Sequence, residues 1–370
     1  MISFDGLSTL KGEKFQIKPW YGYKGITNSV ADFSINEKES RMSNERTVAG
    51  DDETVADMKV RAAWMYYIEG LTQEQIAQEL ETSRIKVNRL LSFARNDGTV
   101  RINIDAKSAA QVSLERRLAV AFDLKTVIVV PTPTTVEALP DVIGYAAGVW
   151  LSDVMQDGVS LAVGWGSTLN MAVRGITPRK LEGASVISLL GGMTHSRAVN
   201  PSAVARRMAD VFSADCYQLT APVFVSGKTM RDTLLLEPTL QNLIERARAA
   251  DIALFSVGDL SPASTLFHER LLPETELESL RKAGAVGDVL CHFIDAEGRR
   301  VDHPVNNRTI AVDLSDLFTV KTVVIASGGA HKALAIRAAM QATKASVLIT
   351  DQEAAKALLE FGPFQHDNKS

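Results

Sequence analysis

The spacing of apolar residues changes twice along this chain of 370 residues. Residues 1–57 are polar and hold no sustained period, so they are expected to be largely disordered. Met42 precedes a polar lead-in to the first convincing helix. Translation is expected to start there, with residues 1–41 as an extension, and N-terminal sequencing of native protein tests that. From 58 to 104 the period is helical. From 105 to 362 short apolar runs alternate with helical patterns: "TVIVV" (126–130), "SLAVGW" (160–165), "ASVISLL" (184–190), "DIALFSVG" (251–258), "TVVIAS" (322–327) and "SVLIT" (346–350). Near-continuous apolar strands with helices between them predict a large, mostly parallel α/β sheet covered on both faces. Residues 363–370 read as a tail.

The segment "GLTQEQIAQELETSRIKVNRLLSFARNDGTVRI" (70–102) has the spacing of a helix-turn-helix. Ile76, Ala77 and Leu80 fall on one face of the first helix, and Val87, Leu90 and Leu91 on one face of the second. Thr72 and Ser83 are the expected N-caps. Glu74, Glu79 and Glu81 make the first half acidic, whereas 83–95 carries Arg84, Lys86, Arg89 and Arg95 and no acid. That is the footprint of a helix laid against DNA. Ser83, Arg84, Lys86, Asn88 and Arg89 are the DNA-contact candidates, with Arg84, Lys86 and Asn88 nearest base edges or adjacent phosphates. A helical hairpin with a solvated basic face is the alternative. Glu81 and Thr82 stand where Gly and an apolar residue are commoner, and a non-Gly residue at φ > 0 there costs on the order of 1 kcal/mol.

Two glycine turns follow strands in the second region. "GWGSTLN" (164–170) offers backbone N–H groups and the hydroxyls of Ser167 and Thr168 at a helix start. "VVIASGGAHKALAIRAAM" (323–340) repeats strand, glycines and helix, with Gly328, Gly329 and then Lys332. Together they would clamp one phosphate. The dinucleotide fingerprint fails, because Leu169 replaces the third glycine and no acidic residue ends the next strand. No Gly-Lys-Ser/Thr follows, so a Walker loop fails too. Tight turns at Gly164 and Gly166 without a ligand remain the alternative.

Composition narrows the class. With 46% hydrophobic and 23% charged residues the chain has the makeup of a soluble protein with a sizeable core. A net charge of −4 advertises no nucleic acid overall, so any DNA contact has to be the local basic helix. Two cysteines, Cys216 and Cys291, lie inside apolar stretches and are expected to be buried reduced thiols. No run approaches the roughly 18 apolar residues of a membrane span, and no export signal opens the chain. A cytoplasmic location without membrane partners is expected.

"ARNDGTVRI", "VGWGSTL", "LLGG", "VGDVLCHFIDAEG", "ASGGAHKALAIRAAM" and "VLITDQEAA", in that order, resemble the SorC-type family of bacterial transcription regulators over residues 58–362. The resemblance implies a helix-turn-helix domain, winged-helix-like, joined to a sugar-binding domain similar to glucosamine-6-phosphate deaminase and ribose-5-phosphate isomerase. It implies a homo-oligomer, dimer or tetramer, whose operator binding answers to a sugar, polyol or sugar phosphate. It places Gly164, Gly166, Ser167, Thr168 and Lys332 on the phosphate. Through "GGMTHSRAVN" it places Gly191, Gly192 and Asn200 near the ligand, and Asp288 at a sugar hydroxyl, a capped surface turn being the alternative for Asp288. "RAAWMYYIEGLTQ" is similar to the same stretch of polyol-operon regulators.

The related deaminases carry an Asp-Gly-His segment where this chain reads "LFSVGDLSPASTLFHERLLP". Asp259 is present, but the nearest histidine, His268, comes nine residues later. No catalytic group, cofactor or metal is therefore expected, and the scattered His195, His292, His303 and His331 show no ligand spacing. Lys228 could form a Schiff base only in a desolvated pocket. A sugar-phosphate isomerase or deaminase with an appended helical domain is the alternative, and a large domain that only oligomerises is another. The helix at 111–124, apolar at Val112, Leu114, Leu118, Val120 and Phe122, is expected either to link the domains and carry an oligomer contact or simply to face the core.

Overall fold

The computed structural model describes residues 46–100, 109–193, 199–362 and 364. Contacts divide the chain into two units, Met1–Ala106 and Lys107–Ser370. The boundary expected at 104/105, the start at Met42, any wing in 101–108, His195 and all of the tail except Phe364 lie outside the described residues.

The first unit holds α1 (Arg46–Tyr67), α2 (Gln73–Glu79) and α3 (Arg84–Asn96). Residues 46–57, expected to be disordered, are the first turns of α1. Helix growth is cooperative: once Ala62 and Ala63 fix the later turns in the core, each preceding residue adds one hydrogen bond as it is ordered. Ile76, Ala77, Val87, Leu90, Leu91 and Ala94 complete that core, so the apolar faces read from the sequence do meet. Thr72 and Gln75 form a capping box on α2, and Ser83 Oγ accepts the Lys86 N–H of α3 at 3.2 Å. Between the two helices Glu81 has φ +47°, the left-handed geometry the turn demands.

The second unit runs α4 (Ala109–Phe122), β1 (Thr126–Val130), α5 (Leu139–Val154), β2 (Ser160–Val163), α6 (Ser167–Gly175), β3 (Ser185–Ser188), α7 (Pro201–Phe212), β4 (Asp215–Tyr217), α8 (Lys228–Leu235), α9 (Pro238–Arg248), β5 (Ile252–Phe255), β6 (Val257–Asp259), α10 (Thr265–His268), α11 (Glu274–Lys282), β7 (Gly287–Val289), β8 (His292–Ile294), β9 (Thr322–Ala326), α12 (Ala333–Thr343), β10 (Val347–Asp351) and α13 (Gln352–Phe361). Seven strands form a parallel sheet in the order β1-β10-β9-β5-β2-β3-β4. From β2 the chain steps outward through β3 and β4, and from β5 it steps the other way through β9 and β10. The direction reverses between β2 and β5, so the crevice beyond their carboxyl ends is the topological switch point where open α/β sheets bind ligands.

One cluster, around Phe255, Ile325 and Leu348, and a second, around Leu161, Leu254 and Ile349, form the core. β6, β7 and β8 form a separate antiparallel sheet. These three-residue strands, like β4, are too short to show a period in the sequence. α4 faces the core through Gln111, Leu114, Leu118 and Phe122, whereas Val120 is 87% exposed. Gln111 Nε2 donates to Val129 O at 3.0 Å and Glu115 Oε1 accepts Val129 N–H at 3.0 Å, closing the exposed edge of β1.

Candidate functional site

The first glycine turn lies at that switch point. β2 is short, apolar and buried along most of its length, and Gly164 leaves it by donating to Leu254 O of β5 at 2.8 Å. A Cβ on Gly164 would stand 2.8 Å from Phe255 Cβ, so only glycine lets the turn lie this close to β5. Gly166 turns at φ +106° and caps α6, leaving Ser167 and Thr168 as its first two residues. The opening N–H groups of a helix are free to bind an anion, and the helix dipole favours one there. Asn170, in the same turn, has a buried Oδ1 with no hydrogen-bond partner among the described residues. The sequence pointed at the glycines and hydroxyls and passed over this amide.

Lys332 closes the 3-10 turn that precedes α12. Its ammonium reaches Val257 O at 3.4 Å and pairs with Asp259 at 3.7 Å. Gly329, at φ +91°, donates its N–H to Asp351 Oδ1 at 2.6 Å, and a Cβ on Gly328 would stand 2.4 Å from the same oxygen. The glycines thus wrap the buried Asp351 carboxylate, which also accepts from Thr132 Oγ1 at 2.6 Å and Glu353 N–H at 3.1 Å. In this loop the lysine is turned to the crevice side while the Gly329 N–H is committed elsewhere. Asp351 ends the apolar run "SVLIT", and that charge at the end of a buried strand was the signal available in the sequence.

The two turns converge on the β7–β8 hairpin. Leu290 and Cys291 form its turn with φ of +52° and +64°, strained values for residues with side chains. Leu290 packs near Gly164, and Trp165 lies beside the Cys291 side chain. Asp288 is buried on β7 and not at a surface turn. One of its oxygens accepts Cys291 N–H at 3.1 Å, and the other lies so close to Gly258 that a Cβ there would be 1.9 Å away. Burial pushes its pKa up to about 7, partly opposed by the Cys291 N–H and by Lys332, and reinforced by Asp259. Gly164–Trp165, Asp288, Asp259 and Lys332 therefore line one region of the molecule.

Asn200 caps α7 through Ser202 N–H at 3.3 Å and donates to Met193 O at 2.9 Å, so its amide is engaged within the protein. Gly191 donates to Ile310 O and Gly192 to Ala221 O, both as extensions of β3. Lys228 is exposed at the start of α8, without the desolvation a Schiff-base lysine needs. His268 is exposed beside Glu269. His292 is buried and held at a pKa of about 4 by burial and by Arg300. Among the described residues no group of three His, Cys, Asp or Glu is arranged to hold a metal ion, and no helix is long and apolar enough to cross a membrane.

In the first unit Ser83, Arg84, Lys86, Asn88 and Arg89 are all exposed. Arg84 pairs with Glu74 at 3.0 Å, which offsets its charge, and Arg89 lies over the Phe93 ring at 5.4 Å.

The sugar-binding domain family model matches residues 107–360. The deoxyribonucleoside regulator of Bacillus subtilis is 32% identical over 311 residues, 83% of this chain and 99% of that protein. The erythritol catabolism regulatory protein EryD of Brucella abortus is 30% identical over 316 residues, 84% of this chain and 98% of that one. The solved full-length sorbitol operon regulator SorC from Klebsiella pneumoniae shares the fold, with a TM-score of 0.61 at 21% identity over 83% of this chain and 99% of its own. A transcriptional regulator from Streptococcus pneumoniae has a TM-score of 0.62 at 25% identity, covering 68% of this chain and 97% of that one.

Proposed function

The chain belongs to the SorC-type family of transcriptional regulators that carry this sugar-binding domain, and from that premise we propose how its parts act. It is a ligand-responsive, DNA-binding regulator of a sugar or polyol catabolic operon and not an enzyme, as its relatives are regulators. The isomerase or deaminase reading is set aside with them, and the exposed positions of Lys228 and His268 agree with that.

The carrying observation is that the glycine turn leading into α6 packs, through Gly164 and Trp165, on the hairpin that holds Asp288 beside Lys332. A sugar phosphate fits this set. The α6 N-terminus, with Ser167 and Thr168, takes the phosphate together with Lys332. Asp288 takes a hydroxyl. Gly191, Gly192 and Asn200 form a wall beyond β3. Ligand would exchange the Lys332–Asp259 pair for a Lys332–phosphate pair and release Asp259, biasing the strained hairpin beside it. In a cytoplasmic homodimer or homotetramer that bias would alter the spacing of recognition helices against operator half-sites.

A thermal-shift panel of free and phosphorylated sugars and polyols tests this, followed by operator binding with and without the compound that shifts. A stabilising compound that changes operator affinity supports the reading. A panel with no stabilising compound leaves the large domain as an oligomerisation module and overturns it.

A further inference from the structure

α3 buries Val87, Leu90, Leu91 and Ala94 against α1 and α2. At about 100° per residue the opposite face is centred on Ile85, Arg89, Ser92 and Asn96. Ile85 is 83% exposed, an extreme value for a large aliphatic side chain and twice that of Ile68 at 42%. Arg84 lies to one side of this face, drawn toward α2 by Glu74. An aliphatic group at the centre of the outward face gives nothing to the core of its own unit. It sits in the first turn after the Ser83 cap, where a recognition helix meets base edges.

We propose that Ile85 is a specificity-determining residue that reads the 5-methyl group of a thymine in each operator half-site. This rests on the DNA-binding reading above. In the major groove every base edge presents hydrogen-bond donors or acceptors, and only thymine adds an apolar group. A branched aliphatic chain satisfies none of those polar atoms. Placed over cytosine or adenine it would strip water from an amino group and return no hydrogen bond. Over thymine it buries methyl against methyl. Arg89, one helical turn further on the same face, supplies the polar contact to the neighbouring base or phosphate, with the Phe93 ring beneath its guanidinium.

The test uses the full chain. An operator is obtained by selection from random duplexes, and each thymine in a half-site is replaced singly by deoxyuridine, which lacks only the methyl. One position per half-site is expected to lose about fourfold in affinity, the worth of one buried methyl-sized group. Ile85→Ala is expected to lose a similar factor on the unmodified operator and to show no further loss at that same position. Its melting temperature should match the parent, because the side chain is exposed. The proposal is overturned if no thymine-to-deoxyuridine change affects the parent protein, or if the penalty persists in Ile85→Ala. A changed sedimentation profile in Ile85→Ala overturns it too, since that would place Ile85 between protein copies. A selected duplex bound with strong salt dependence but no methyl effect refutes this inference alone. Failure to select any duplex removes the DNA-binding reading itself.

Discussion

Asp288 shows how one buried carboxyl sets a pH dependence. Its ordinary value is 3.8 and its folded value is about 7. Between these the folded chain keeps a proton that the unfolded chain has released, so stability falls as pH rises from about 4 to about 7 and levels above that. Each unit of that window is worth about 1.4 kcal/mol. Asp288→Asn keeps an acceptor for Cys291 N–H and cannot ionise. Its melting temperature should therefore gain on the parent as pH rises from 5 to 8; parallel curves for the two proteins would contradict the buried, protonated state. Lys332 is the second test. Its ammonium has Asp259 and Val257 O as partners, and in the proposed mode of binding a phosphate would compete with them. Lys332→Ala should abolish the melting shift given by a phosphorylated effector at a concentration that raises the parent by about 2.7 kcal/mol, that is 100 times Kd. A full shift in the variant would remove Lys332 from the site.

Among the elements, the turn between α2 and α3 carries a residue poorly suited to its backbone. Glu81 at φ +47° costs on the order of 1 kcal/mol relative to glycine. Glu81→Gly should raise the stability of the helical unit by up to about 1 kcal/mol, read from denaturant midpoints, with no loss of DNA affinity. α4 carries a different lesson. Its apolar list in the sequence includes Val120, yet the helix buries the 111, 114, 118 and 122 positions and turns Val120 outward. A buried glutamine there satisfies the edge of β1, a role that hydrophobic spacing could not reveal.

For the whole molecule, a net charge of −4 sits with one helix, α3, bearing four basic residues and no acid. Operator affinity should therefore fall steeply with salt, each phosphate contact adding about one to the log–log slope. Arg89→Ala should lower that slope by about one. Arg84→Ala should lower it less, because Glu74 already offsets its charge. Equal losses would mean that the Arg84–Glu74 pair opens on DNA. Unchanged slopes in both would take α3 out of the interface.

The elements with long or repeated patterns are legible in the amino-acid sequence. The six apolar runs became β1, β2, β3, β5, β9 and β10, except that "DIALFSVG" breaks at Ser256 and its last residues open β6 of the other sheet, and the capped helix pair formed where its residues indicated. Periodicity reports burial on one face, and those segments are long enough to express it. The glycine turns were legible too, because a strand, glycines and a helix start follow one another directly. Strand order was not, since it depends on pairings between segments far apart in the chain, Leu161 with Ile252 for β2 and β5 and Thr126 with Val347 for β1 and β10. That order alone puts "GWGSTLN" at the switch point and sends the Lys332 loop beyond β9, one strand past β5. The place of the hairpin carrying Asp288 and the commitment of Gly329 to Asp351 were settled the same way. Each is a relation between distant segments, and local residue preferences carry no record of which distant segment will be the neighbour.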